Sequence, residues 1–176
     1  MIIEGGSTQG YRMDVGKDGR AFTDSVSKSR LSQVSKDSGK SFSWTYARST
    51  MNASKTVLLI QNDSTSEDLC IDKVRVSADM ITEVAICSPV HATFAGDSIS
   101  AVNLNRASNV SADATAYANE TANTQANNIL KEFLQAGIAS EFNLDGAARL
   151  DYHHTIAIIF AEDVGKCSVT IFAHFE

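Results

Sequence analysis

The stretch His154-Thr155-Ile156-Ala157-Ile158-Ile159-Phe160, then Glu162-Asp163-Val164-Gly165-Lys166, then Ser168-Val169-Thr170-Ile171-Phe172, decides how this chain is read. Two runs of β-branched and aromatic residues flank a short charged segment with a glycine. Such side chains suit a pleated, half-buried surface, and two runs so joined read as a β-hairpin. The same grammar repeats towards the N-terminus. Val57-Leu58-Leu59-Ile60 is a continuous apolar run, ended by Asn62-Asp63-Ser64-Thr65-Ser66. Leu69-Cys70-Ile71-Asp72-Lys73-Val74-Arg75-Val76 alternates in its second half, and Thr82-Glu83-Val84-Ala85-Ile86-Cys87 alternates before the only proline, Pro89. Ala95-Gly96-Asp97-Ser98 is a turn before a further run at 99–104, and Ser41-Phe42-Ser43-Trp44-Thr45-Tyr46 alternates with period two. Seven or eight short strands with turn signals between them predict an all-β fold, a β-sandwich or barrel, with a jelly-roll-like sandwich favoured.

Two segments resist this grammar. Ile129, Leu130, Phe133, Leu134 and Ile138 fall at helical spacing. Gly137 and Glu141-Phe142-Asn143-Leu144-Asp145-Gly146 instead suggest a turn and a second strand, and the β pattern around them favours two strands. Residues 105–128 are almost wholly Ala, Asn, Ser, Thr, Asp and Glu, with Tyr117 and Val110 the only sizeable apolar side chains. That is too long for an ordinary turn. It is expected to be a projecting loop, or a layer of small polar residues packed on another subunit.

The first 45 residues read as an extended N-terminal arm, and 46–176 as the sandwich body. Five of the ten glycines lie in the first 19 residues, and serines crowd from Ser25 to Ser43. Such a segment buries too little apolar surface to offset its ordering entropy, so it needs a partner surface. Arg12, Lys17, Arg20, Lys28, Arg30, Lys36, Lys40 and Arg48 all precede residue 50, which makes the start mildly basic and the remainder acidic.

Composition narrows the function. A net charge of -6 argues against general nucleic-acid binding, which needs a basic footprint. The longest apolar runs are too short to span a bilayer. The N-terminus has no basic start followed by an apolar stretch, so no secretory signal is expected; synthesis in the host cytoplasm is. Cys70, Cys87 and Cys167 sit in apolar, strand-like contexts without a CxxC spacing, and read as reduced, buried hydrophobes. Of the four histidines (His91, His153, His154 and His174), His153 and His154 are neighbours, which in a strand face opposite ways and do not chelate one metal. No nucleophile elbow or P-loop is present. The pairs Glu67-Asp68 and Glu162-Asp163 lie in turns. The sequence therefore predicts no enzyme, no cofactor and no metal. The sequons at Asn52, Asn62, Asn109 and Asn119 are coincidental in so Asn-, Ser- and Thr-rich a chain.

The opening Ile2-Ile3-Glu4-Gly5-Gly6-Ser7-Thr8-Gln9-Gly10-Tyr11-Arg12-Met13-Asp14-Val15 resembles the start of small virion structural proteins of tailed bacteriophages, which pair an IEGG…GYR arm with β-rich bodies. Phe42-Ser43-Trp44-Thr45, Val57-Leu58-Leu59-Ile60-Gln61-Asn62-Asp63-Ser64, Ala101-Val102-Asn103-Leu104-Asn105-Arg106-Ala107-Ser108, Asn119-Glu120-Thr121-Ala122-Asn123-Thr124-Gln125, Asp145-Gly146-Ala147 and Thr170-Ile171-Phe172 are similar to pieces of that group. The resemblance implies a capsid decoration or cement protein on the virion surface, a homo-oligomer, trimer favoured, bound across major capsid protein or other virion subunits. A tail or neck accessory protein, or a host-surface carbohydrate-binding module, is the alternative. In this reading Ile2, Ile3, Tyr11, Met13, Val15 and Phe22 supply apolar anchors for capsid docking, and Arg12 and Arg20 meet acidic groups. The arm adds strands to exposed sheet edges, and oligomerisation multiplies its contacts.

Overall fold

The computed structural model describes residues 29–53, 55–89, 94–121 and 127–176. A short helix, α1 (Arg30–Asp37), precedes eleven strands: β1 (Ser41–Arg48), β2 (Lys55–Asn62), β3 (Leu69–Ala78), β4 (Thr82–Ser88), β5 (Asp97–Ser98), β6 (Val102–Asn103), β7 (Ala114–Thr121), β8 (Asn127–Leu134), β9 (Ser140–Leu150), β10 (Thr155–Phe160) and β11 (Cys167–Phe175). They form two antiparallel sheets, β6-β1-β11-β3-β9 and β5-β7-β2-β10-β4-β8.

The strand order is that of one long hairpin rolled up. Its first limb is β1 to β4 and its second β8 to β11. The limbs pair antiparallel throughout: β1 with β11, β2 with β10, β3 with β9 and β4 with β8. Rolling then brings β11 beside β3 and β10 beside β4. This is the jelly roll, an antiparallel sandwich of eight long strands.

The expected hairpin at the C-terminus is corrected by this topology. β10 lies in the six-stranded sheet and β11 in the other. Residues 161–166 cross the end of the sandwich between them. The reason is Val164, which is not a turn residue but a buried plug. It exchanges backbone hydrogen bonds of 2.8 Å with Met51, from the matching crossing between β1 and β2. Apolar alternation tells which face of a strand is buried, not which strand lies beside it.

The core lies between the sheets. Trp44 and Phe42 of β1 pack their rings 6.1 Å apart, and Phe42 meets Phe175 edge-on at 5.8 Å. Leu58 and Ile60 of β2, Ile71, Val74 and Val76 of β3, Ile156 and Phe160 of β10, and Ile171 of β11 complete it, all essentially inaccessible. Residues 129–138 follow the strand reading: β8 ends at Leu134, and β9 begins at Ser140. The three cysteines are buried in β3, β4 and β11, and none is in a disulfide.

Other segments also differ from the sequence reading: of the run expected at 99–104 only Val102–Asn103 is strand, and Asp97–Ser98 of the expected turn is β5. Residues 114–121, expected in a projecting loop or an intersubunit layer, form β7, which pairs along most of β2. Their small side chains allow close packing within the chain's own core: Ala116 and Ala118 are buried. In the expected arm, residues 30–37 are helical, and the boundary at 45 falls inside β1. The cause is local capping with tertiary cover. The Ser29 hydroxyl accepts from the Ser32 N–H at 3.3 Å. Val34 is buried against β1 and β11, and the helix stops at Gly39, whose φ of +67° suits glycine.

Trp44→Ala should lower stability by about 3–5 kcal/mol in urea unfolding. Trp44→Phe should cost clearly less, since it refills most of the volume and removes an indole N–H that has no hydrogen-bond partner. Equal losses would show that packing of the ring is not what the core uses.

Candidate interaction surface

The two flanks of the sandwich end differently. On one flank the segment between β4 and β8 returns to cover the edges. β7 lies outside β2, β5 outside β7, and β6 outside β1. On the other flank β8 and β9 are the outermost strands, with eight and eleven residues. Strands of this length leave a row of backbone N–H and C=O groups without a ladder partner, which is a template for another chain.

Apolar side chains collect at one end of that flank. Phe133 near the end of β8 is 64% exposed, Ile81 in the β3–β4 turn 57%, and Ile138 between β8 and β9 60%. Phe133 stands opposite Glu83 in the ladder, and the Gly137 N–H donates to the Ala78 carbonyl at 2.8 Å, so these residues converge. Met80 and Ile129 are also exposed. Lys131 and Glu83 form an ion pair of 2.8 Å beside them. The strip thus mixes exposed apolar groups with both signs of charge.

A second concentration of chemistry lies on the outer face of the five-stranded sheet. Leu69, Ile71, Ala173 and Phe175 point into the core, so Cys70 and His174, paired across β3 and β11, point outward. They are buried nonetheless. Ile71 stands opposite Ala148 and Lys73 opposite Asn143, so residues 144–147 of β9 all face the single Asp72. This bulge carries Asp145 and Gly146 at φ 48° and 74°. Gly146 lies against Cys70 and His174; a Cβ there would sit 3.6 Å from each.

Under this cover the Asp72 carboxylate accepts from His174 Nδ1 at 2.7 Å, both side chains being buried. His174 Nε2 has no hydrogen-bond partner; Glu176 Oε2 is 3.7 Å away. Glu176 is held by Arg30 of α1 at 2.5 Å and by Arg149 of β9 at 3.1 Å. The Arg30 hydrogen bond, with the charges of Arg30 and Arg149, holds the Glu176 carboxyl below the usual carboxylate range. Burial pushes the Cys70 thiol up.

The anchors expected in the arm, Ile2, Ile3, Tyr11, Arg12, Met13, Val15, Arg20 and Phe22, lie outside the described residues, as does His91. His153 and His154 fall in the turn before β10, His153 with φ 62° and its ring stacked on Tyr152. The edge strip and the His174 cluster were not singled out from the sequence. His174-Phe175-Glu176 does carry the period-two signal that puts two donors on one strand face; the pairing with Cys70 and Asp72 does not appear until the register is known. No family model, curated protein or solved structure matches this chain.

Asp72→Ala should destabilise the fold by about 1–3 kcal/mol by leaving His174 Nδ1 without its acceptor, and Asp72→Asn by less, in thermal or urea unfolding. Identical stability of Asp72→Ala and wild type would show the bond to be unimportant. Glu176 has a depressed pKa, so its contribution is present above the ordinary carboxylate value and is lost as pH falls through the folded one. The stability difference between wild type and Glu176→Gln should therefore be small at neutral pH, because the pair is partly exposed, and vanish in acid. A difference that grows in acid would contradict the assignment.

Proposed function

We propose that this chain is a non-catalytic structural protein of a virus particle, a capsid decoration or cement protein of a tailed bacteriophage. It binds across major capsid protein subunits and stabilises the head. Its working parts are the basic N-terminal arm, which docks on the capsid, and the sandwich body, which joins copies of itself, as a trimer. One observation carries the assembly role: the chain caps the edges of β1 and β2 with its own β5, β6 and β7, but leaves β8 and β9 outermost beside exposed Phe133, Ile81 and Ile138. Monomeric proteins usually blunt or cover such edges, and clustered exposed apolar groups mark interaction sites.

A second copy of this chain is the occupant of that strip. Lys131 and Glu83 place both charges within it, so a copy presents the complement of each, as symmetric homo-oligomers require. The sequence resemblance supports the virion setting, and the acidic body fits a protein partner in place of nucleic acid.

Sedimentation velocity tests the assembly role. The wild type should run as a trimer, and the double variant Phe133→Asp, Ile138→Asp as a monomer with an unchanged circular dichroism spectrum. Both positions are exposed, so the fold should survive. A wild type that stays monomeric at all concentrations would sink the proposal. Tyr11→Asp with Phe22→Asp should keep the trimer but abolish co-sedimentation with capsids; retained binding would remove the arm from the mechanism.

A further inference from the structure

We propose that Cys70, His174 and Glu176 form a zinc site that clasps β3 to the end of β11. The three ligand atoms lie within 4.8 Å of one another. Glu176 Oε2 is 3.9 Å from Cys70 Sγ and 3.7 Å from His174 Nε2. The Cys70 S–H donates to Glu176 Oε2 over the first distance, while the second exceeds a good N–H···O bond. Both distances are close to the ~3.3–3.6 Å between donors that share one tetrahedral zinc ion at bond lengths of ~2.0–2.3 Å.

The independent observation is His174. It is 1% exposed, and its Nε2 has no hydrogen-bond partner. Buried ring nitrogens are normally satisfied. The other nitrogen, Nδ1, is bonded to Asp72. A carboxylate on Nδ1 fixes the tautomer that leaves the Nε2 lone pair outward and raises its basicity, which is the usual outer arrangement of a metal-bound histidine. Thiolate, imidazole and carboxylate together suit zinc.

The surroundings are compatible with an added cation. Arg30 pairs with Oε1 of Glu176, leaving Oε2 towards Sγ and Nε2. Arg149 shares Oε2 at 3.1 Å and becomes an outer partner of the ligating carboxylate. On binding, Cys70 releases its S–H proton to solvent and the thiolate joins the metal. Glu176 and Arg149 are partly exposed, so the fourth position opens towards water. The clasp ties together strands from residues 70 and 174, and through Arg30 also α1.

The full chain, reduced and stripped with a chelator, is titrated with Co²⁺ and then Zn²⁺. One Co²⁺ per chain is expected, with a thiolate-to-cobalt band in the near ultraviolet that Zn²⁺ abolishes. Cys70→Ser should lose the band, while Cys87→Ser and Cys167→Ser keep it. Glu176→Gln, at a partly exposed position that should not disturb folding, should weaken binding by about tenfold or more. No binding to the folded wild type, a band that survives Cys70→Ser, or unchanged affinity in Glu176→Gln would each overturn the site.

Discussion

The ladder between β3 and β11 is the contact on which the rest depends. It pairs residues 69–78 with 167–175 across almost the whole length of both strands. Without it the long hairpin would stay a two-stranded ribbon solvated on both faces. With it the ribbon folds back on itself, and the inward faces of both sheets meet. The closing contact joins positions about a hundred residues apart, so its loop-closure entropy must be offset by core burial. Trp44, Ile71, Ile171 and Phe175 supply that burial. The same ladder sets Cys70 opposite His174, so the fold and the polar cluster share one register.

Closure of the roll leaves one asymmetry. The segment between β4 and β8 could have remained a loop, but β7 pairs with β2 along the ladder and turns Ala114, Ala116 and Ala118 to the core. Edge protection is therefore spent on the β1 and β2 side. The β8 and β9 side has no such extension among the described residues. Where its surface is most apolar, at Phe133, Ile81 and Ile138, three connections between strands meet or end. An assembly protein gains from such a division, since one flank resists stray pairing while the other offers a defined place for it.

Much of the fold was legible because period-two patterning survives in single strands. Val57-Leu58-Leu59-Ile60, the run from Leu69 and the run from Ile156 all lie in the strands expected of them. Sheet membership was not legible. The segment from Glu162 to Lys166 has turn composition, and nothing local says that Val164 enters the core. α1 was hidden in a serine-rich stretch because its stability comes from β1 and β11 rather than from helix propensity. β7 was hidden because alanine and threonine on a strand give a weak hydrophobic contrast. The His174 cluster depends on a four-residue bulge at Asp72, whose existence follows from the β3–β9 register alone.

Cryo-electron microscopy of a particle carrying this chain tests the assembly role most directly. The expected map shows jelly-roll bodies in symmetric groups, joined through β8 and β9 at Phe133 and Ile138, with the first residues running over neighbouring capsid subunits. Bodies standing singly with those edges facing solvent, or particles without ordered copies, would contradict it.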